Sequence, residues 1–228
     1  MKAPEIGLIV NLLGEKWGMP RLSPTGEPVA ELVQTILSQN TSDVNSRPAF
    51  RALVARFPTW EQVLQAEQTD VAETIRAGGL GSIKAHRIQK ALSEIKKRRG
   101  EIDLNFLSDM QLEPARQWLL GLPGVGNKTA ACVLLFALGM PALPVDTHVF
   151  RVSQRLNLIG TAISPDQAHY DLAAKVPNPL VFPFHVLLIT HGRSTCRARQ
   201  PHCEACVLSQ ICPSRAKFAA RPRRKELA

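Results

Sequence analysis

Apolar residues recur along most of this chain at spacings of three and four. Val29, Leu32, Val33, Ile36 and Leu37 follow i, i+3, i+4, i+7, i+8, one face of an α-helix, and Pro28 suits its first turn. The same spacing predicts helices over Trp60–Ala66, Asp70–Arg76, Ile83–Arg99 and Glu113–Leu120, several of them separated by Gly- or Pro-containing turns. Pro48 interrupts a helical pattern running from Asp43 to Phe57, which predicts a kink or a second helix start there. The apolar run Phe184–Thr190 fits a buried strand or a helix by composition. Helix is preferred because nothing nearby offers a partner strand. The opening run Leu8–Leu13 lacks the basic leader and small-residue cleavage site of a signal sequence and predicts an amphipathic helix. The Pro-rich stretch Pro20–Pro28 would link that helix to the main body. These patterns predict an all-α protein.

Charge and cysteine usage narrow the class. The 228 residues suffice for one large domain or two small ones, and the formal net charge is +9. That excess favours a polyanionic partner, with nucleic acid first. Part of it lies in Pro213–Ala228, where six basic residues face Glu226 alone, so this segment is expected to be a disordered basic tail. No stretch is long and apolar enough to span a membrane, and a soluble, intracellular protein is expected. Four of the five cysteines fall in one segment, Cys196, Cys203, Cys206 and Cys212, spaced C-x6-C-x2-C-x5-C. So compact a set in a chain of this size fits a metal site better than a disulfide framework, and the odd count fits a reducing compartment. Cys132 lies among Val133, Leu134 and Leu135 and is expected in the core.

Two further segments carry chemistry. In Leu119–Ala130 the string L-P-G-V-G-N-K-T-A separates two helical patterns. Gly124 and Gly126 allow positive backbone φ and leave no side chain in the way of another backbone. Amides exposed at such a turn, beside a helix N-terminus, form a seat for phosphate. This is the logic of a helix-hairpin-helix, which grips the DNA backbone without reading bases. Lys128 then opens a helix expected to reach Leu138 and to end at Gly139. A lysine held beside the DNA backbone can serve as a phosphate contact or as a nucleophilic amine that forms a Schiff base with an electrophilic sugar carbon. In Leu143–Phe150, Asp146 stands at an expected N-cap ahead of Val149, Val152 and Leu156. Capping alone explains an aspartate there, but a capping carboxylate stays ionised and can stabilise positive charge on a sugar.

In that order, L-P-G-V-G-N-K-T-A, V-D-T-H-V-F-R-V and C-x6-C-x2-C-x5-C resemble the endonuclease III family, in the helix-hairpin-helix DNA glycosylase superfamily. The resemblance runs from about Ile6 to Cys212. It implies two helical lobes, a six-helix barrel over residues 28–138 and a cluster lobe built from residues 1–27 and 139–212, with DNA bound between them. It implies Lys128 as the Schiff-base nucleophile, Asp146 as the catalytic aspartate, and a 4Fe–4S cluster on Cys196, Cys203, Cys206 and Cys212. Zinc is the rival metal, but its sites usually pair two close-spaced hooks, whereas only Cys203–Cys206 has that spacing. The cluster's implied role is structural, holding Arg197, Arg199 and their neighbours near phosphates. Gly124, Gly126, Thr147 and His148 are implied DNA contacts.

The implied activity is that of a glycosylase and apurinic/apyrimidinic lyase acting on oxidised or ring-saturated pyrimidines flipped out of duplex DNA. The implied enzyme is a cytoplasmic, DNA-associated monomer that needs no membrane. Relatives that use water in place of a covalent intermediate lack a lysine at the Lys128 position. A mismatch or adenine glycosylase and a non-catalytic DNA-binding paralogue are the competing readings. Two segments depart from the family pattern. Relatives carry Ser-x-Gln-x-x-Asp where this chain has Ser38–Asp43, so Asn40 or its neighbour Gln39 would fill the gap left by a flipped base. Leu80 matches the family's intercalating leucine, and Gly81 stands where relatives often carry tyrosine.

Overall fold

The computed structural model describes residues 3–219. Among them there is no strand; the chain forms twelve α-helices with short 3-10 turns between several. They are α1 Ile6–Trp17, α2 Pro28–Ser38, α3 Asp43–Arg56, α4 Trp60–Gln65, α5 Gln68–Thr74, α6 Gly81–Arg99, α7 Leu112–Leu120, α8 Asn127–Cys132, α9 Thr147–Arg155, α10 Pro165–Ala173, α11 Val181–Ser194 and α12 Arg215–Ala219. No helix among the described residues is long and apolar enough to cross a membrane. The all-α expectation holds, and the run Phe184–Thr190 is helical, inside α11.

The chain divides into two compact units, Ser23–Pro144 and the residues on either side of it. In the first unit α2 buries Leu32, Val33, Ile36 and Leu37 against α3, α6 and α8, in a core shared with Leu53, Ile88, Leu92, Ile95 and Leu119. α2 and α8 are too short to persist alone, and the shared burial of these apolar faces stabilises them. The boundaries differ from the expected 28 and 138 by several residues. Thr25 and Gly26 donate their amides to the carbonyls of Phe136 and Ala137 at 3.0 Å each, which laces the segment before α2 to the end of the unit's last helix. Gly139, at φ 69°, ends that helix as expected; a Cβ on it would lie 2.9 Å from Pro24. The helix begun by Lys128 passes into a π-helical segment, Val133–Ala137, and Cys132 is buried just before it.

In the second unit α11 packs against both α1 and α9. Ile9, Val10 and Leu13 of α1, Val149 and Val152 of α9, and Phe184, Leu187 and Leu188 of α11 are all buried. The opening apolar run is therefore a core-packed helix.

Two expectations are corrected. Of the kink or second helix start expected at Pro48, the second start does not occur: α3 is one element with Pro48 inside it. The amide it lacks would have bonded the carbonyl of Val44, a residue that is 80% exposed in the first turn, where water substitutes at little cost. The segment expected to be a disordered tail from Pro213 on is ordered as far as α12. Phe218 there packs beneath the Arg155 guanidinium, 4.4 Å from the ring centroid. The remainder of that expectation, residues 220–228, lies outside the described residues.

Candidate functional site

The hairpin between α7 and α8 is built as its sequence suggests at one glycine and differently at the other. Gly124 has φ +77°, a conformation that favours glycine, and its α-carbon is covered by the Arg87 side chain, 3.5 Å from where a Cβ would lie. Gly126 is the N-cap of α8 at φ −99°, extended backbone open to any residue. The reason to have glycine there is therefore not positive φ; the space around it is open, which keeps the backbone accessible. Lys128 follows as the second residue of α8, half-buried, with Thr129 buried beside it.

Glu31 and Thr35 lie one turn apart on α2, which packs on α8, and Gln39 follows as its C-cap. Thr35 donates its hydroxyl to Glu31 Oε1 at 3.1 Å. Burial pushes the Glu31 carboxyl up from its ordinary 4.5 to about 6, against the opposing pull of the Thr35 bond and the Lys128 charge. Gln39 accepts from Arg87 Nη1 at 2.7 Å and donates to Thr129 Oγ1 at 3.4 Å. Its amide is thus held against the hairpin, whereas Asn40 is exposed, with φ 53°.

Leu80, the other residue expected at the duplex, is likewise left-handed, φ 54°, and 53% exposed. One buried lysine connects the two segments. Lys84 is 1% exposed, and its ammonium donates to Leu37 O at 2.7 Å, Thr41 Oγ1 at 2.6 Å and Gly78 O at 2.8 Å. Burial lowers its pKa, helped by the Arg87 charge. Thr41 in turn donates to Gly78 O at 2.7 Å. Gly81, the departure from the family pattern, has a steric reason: a Cβ there would lie 2.7 Å from the Ala72 carbonyl.

In the other unit Asp146 caps α9. One carboxylate oxygen accepts from the amides of His148 at 2.9 Å and Val149 at 2.7 Å. Thr147 is exposed. His148 is half-buried; burial lowers its pKa, and the charges of Arg151 and Arg193 add to this while Asp146 opposes it. Its Nδ1 accepts from Arg151 Nη2 at 3.1 Å.

The four cysteines line a single cavity walled by Val152, Leu156 and Leu208 and closed by Phe218. Burial, reinforced by the neighbouring cysteines, pushes Cys206 up to about 11. The pocket thus favours neutral thiols until a cation offsets the thiolate charge. Two side chains approach the sulfurs, one of them as an N–H donor. Arg155 Nη1 donates to Cys196 Sγ at 3.2 Å, and His191 Nε2 lies 3.7 Å from Cys206 Sγ. Burial drives the His191 pKa down to about 4, so the ring is neutral. Apolar walls, four thiols and an N–H donor to sulfur suit an iron–sulfur group. Among the described residues no three His, Cys, Asp or Glu side chains converge as they would around one metal ion. Arg151 and Arg155, one turn apart on α9, tie this segment to the helix that Asp146 caps: both donate to Cys196 O, and Arg155 also to Arg197 O and Ala198 O. Arg197 and Arg199 are exposed.

Sequence reasoning missed Glu31, Lys84, Arg87, Arg151 and Arg155. For the two α9 arginines the spacing of four was a usable signal. Lys84 and Glu31 carried none, since each reads as an ordinary polar position on an amphipathic helix.

Comparison with known proteins places these features in a family. A model described as HhH-GPD superfamily base excision DNA repair protein matches residues 33–178. An Arabidopsis thaliana relative is 39% identical over 168 residues, which is 73% of this chain but 57% of that relative's length. Endonuclease III of Synechocystis sp. is 37% identical over 188 residues, covering 82% of this chain and 81% of the relative. Among solved structures, a non-covalent endonuclease III–DNA complex matches with a TM-score of 0.80 at 26% identity, over 95% of this chain and 97% of that one. A trapped endonuclease III–DNA covalent intermediate matches with 0.78 at 27% identity, over 93% and 96%.

Substitutions at three positions test this geometry. Gly81→Ala sets a methyl against the Ala72 carbonyl and is expected to lower stability by about 1–3 kcal/mol in chemical denaturation; an unchanged midpoint would contradict the close approach. Asp146→Ala removes the α9 cap and is expected to cost about 1 kcal/mol, with most of that restored in Asp146→Asn. Because the Glu31 pKa is raised on folding, its contribution to stability is fullest below pH 4.5 and is lost as pH rises through 6. Glu31→Gln, which mimics the protonated form, should therefore gain roughly 2 kcal/mol at pH 7.5 and nothing at pH 4.5, a difference that thermal melts at the two pH values would register.

Proposed function

The chain belongs to the endonuclease III family within the HhH-GPD superfamily, and from that footing we propose a bifunctional DNA glycosylase and apurinic/apyrimidinic lyase that removes oxidised or ring-saturated pyrimidines from duplex DNA. The observation that carries this reading is Lys128, half-buried at the second position of α8, directly after an L-P-G-V-G hairpin. An amine beside a backbone-gripping turn lies where the sugar of an extruded nucleotide would be brought.

In this reading Nζ of Lys128 attacks C1′ as the bond to the damaged base breaks. Asp146, which accepts two backbone amides, stabilises positive charge at the anomeric carbon. Opening of the sugar ring leaves an imine between Lys128 and C1′. Loss of a C2′ proton then expels the 3′ phosphate by β-elimination, which nicks the strand on the 3′ side. Asn40 and Leu80, exposed and left-handed, are the residues proposed to enter the duplex, with Gln39 held back by Arg87 and Thr129. Gly124, Gly126, Thr147 and His148 are the proposed backbone contacts.

The same proposal assigns Cys196, Cys203, Cys206 and Cys212 to a 4Fe–4S cluster, which would cross-link their segment without taking part in base removal. The spacing favours it over zinc, since only Cys203–Cys206 has the close spacing of a zinc hook, and the apolar-walled cavity that the four thiols share suits thiolate ligation of an iron–sulfur group. A monomer acting on DNA in the cytoplasm completes the reading.

Borohydride trapping tests it. Wild-type protein incubated with duplex DNA carrying thymine glycol or an abasic site should yield a covalent adduct, and Lys128→Ala none. An adduct that persists in Lys128→Ala would remove the nucleophile assignment. Asp146→Asn should lose base excision while melting close to wild type; a mutant that excises normally would return Asp146 to capping alone.

A further inference from the structure

Lys84 is a charged residue in a place where an apolar one is ordinarily found. It lies on α6 between Ile83 and Ala85, is buried, and among the described residues no carboxylate pairs with it. Three neutral oxygens hold its ammonium instead: Leu37 O at 2.7 Å, Thr41 Oγ1 at 2.6 Å and Gly78 O at 2.8 Å. Leu37 O is among the last carbonyls of α2, which no amide of that helix can reach. Thr41 donates its own hydroxyl to Gly78 O at 2.7 Å, so threonine and lysine meet on one carbonyl. The cation thus joins two segments far apart in sequence. One runs from the end of α2 to the first turn of α3, the other from Gly78 into α6.

Both segments carry strained backbone. Among the described residues three non-glycine residues have left-handed φ. Two of them are Asn40, between Leu37 and Thr41, and Leu80, between Gly78 and Lys84; the third, Asn157, belongs to the other unit. Such backbone is unfavourable for any residue with a Cβ, and more so for leucine than for asparagine. Leu80 buries little in return, being more than half exposed. Among the described residues of this unit the large apolar side chains left exposed are Val44, Leu80 and Ile83, and all three lie on the two segments that the ammonium joins. Placed there they add little to the core. Unstacked bases, apolar on their faces and carried by an anionic backbone, are a surface that such residues can meet on a basic protein.

We propose that Lys84 is the positioning residue of a two-part wedge, the buried cation that holds Asn40 and Leu80 in fixed relation so that both enter the duplex together. The inference rests on Asn40 and Leu80 being the residues that enter. One residue fills the space left by the extruded nucleotide while the other parts neighbouring bases, and both must act in one encounter. Each stands within a few residues of an atom bonded to the same ammonium, so the pair reaches DNA already ordered. The cost of ordering two loops then does not fall on binding. Lys84 acts through these two residues and not on the sugar or the base.

Single-turnover borohydride trapping at an abasic site tests this, with a fully paired duplex compared against the same sequence in an unpaired bubble, where no stack has to be opened. Lys84→Met keeps an unbranched side chain and removes all three bonds. It should slow trapping on the duplex by up to roughly a hundredfold and trap the bubble close to the wild-type rate. Thr41→Val leaves the lysine and two of its oxygens in place. It should show the same selective loss at smaller size, so the test survives a Lys84→Met protein that does not fold. Aminopurine, a fluorescent adenine analogue placed opposite the abasic site, should brighten when wild type binds and stay dim with Lys84→Met. Adding Leu80→Ala to Lys84→Met should cost little beyond the larger single loss, because both changes disable one wedge. Variants slowed equally on duplex and bubble, or at the wild-type rate on both, overturn the assignment, as does a double variant whose losses multiply. If Asn40→Ala and Leu80→Ala each trap the duplex at the wild-type rate, the wedge reading itself falls, and the role of Lys84 with it.

Discussion

The ammonium of Lys84 has left water, and an ion so buried survives only if the protein supplies what water did. Three oxygens do so, from the last turn of α2, from Thr41 and from the 3-10 turn before α6. Two of these oxygens flank Asn40 and the third lies just before Leu80, so the requirement to surround one cation fixes two segments against each other. Asn40 and Leu80, which need left-handed backbone and stand exposed, lie at the margins of those segments. Strained, exposed residues persist where their surroundings over-determine them. A loop that must enter a duplex without first being ordered gains from having this paid in advance.

The helical scaffold was legible because it rests on burial. Spacings of three and four in α2 and α6 report which side of each helix meets the core, and the structure follows them, whereas the run inside α11 was legible only through the lack of a partner strand nearby. Asp146 was legible for a local reason, since an N-cap is set by its own next three residues. What escaped was non-local or steric. Nothing around Lys84 in the sequence tells of Leu37 O, 47 residues away. Gln39 and Asn40 look interchangeable as a pair of amides until Arg87 and Thr129 claim one of them. Gly81 reads as a lost tyrosine until the Ala72 carbonyl is seen beside it. Pro48 was over-weighted because the rule against internal proline assumes a buried carbonyl one turn earlier, and Val44 is exposed.

The cysteine segment shows how a site with no secondary structure of its own can be held before a metal contributes. Cys196 follows the end of α11, and its carbonyl is gripped by two arginines of α9, with two more carbonyls of the same loop on Arg155. Arg155 also meets a sulfur, so one side chain joins the loop's backbone to the thiol that would bind iron. Arg151 bridges from the same loop to His148, two residues past the cap. The register of α9 therefore couples the cysteine segment to the aspartate: helix rotation that displaced one would displace the other.

α2 carries the sharper compromise. A helix selected for stability alone would bury apolar groups on the side that meets α8, since replacing a half-desolvated carboxylate by a neutral group of like shape removes its burial cost. This one keeps Glu31 and spends Thr35 on holding it. The Thr35 bond is the informative detail. A hydroxyl that only satisfied its own hydrogen-bonding need could turn to the carbonyl one helical turn earlier, as Thr74 does with Asp70 O in α5. Donation to the carboxylate instead favours the ionised form, so burial and hydrogen bond pull the same group in opposite directions and leave it between them, near 6.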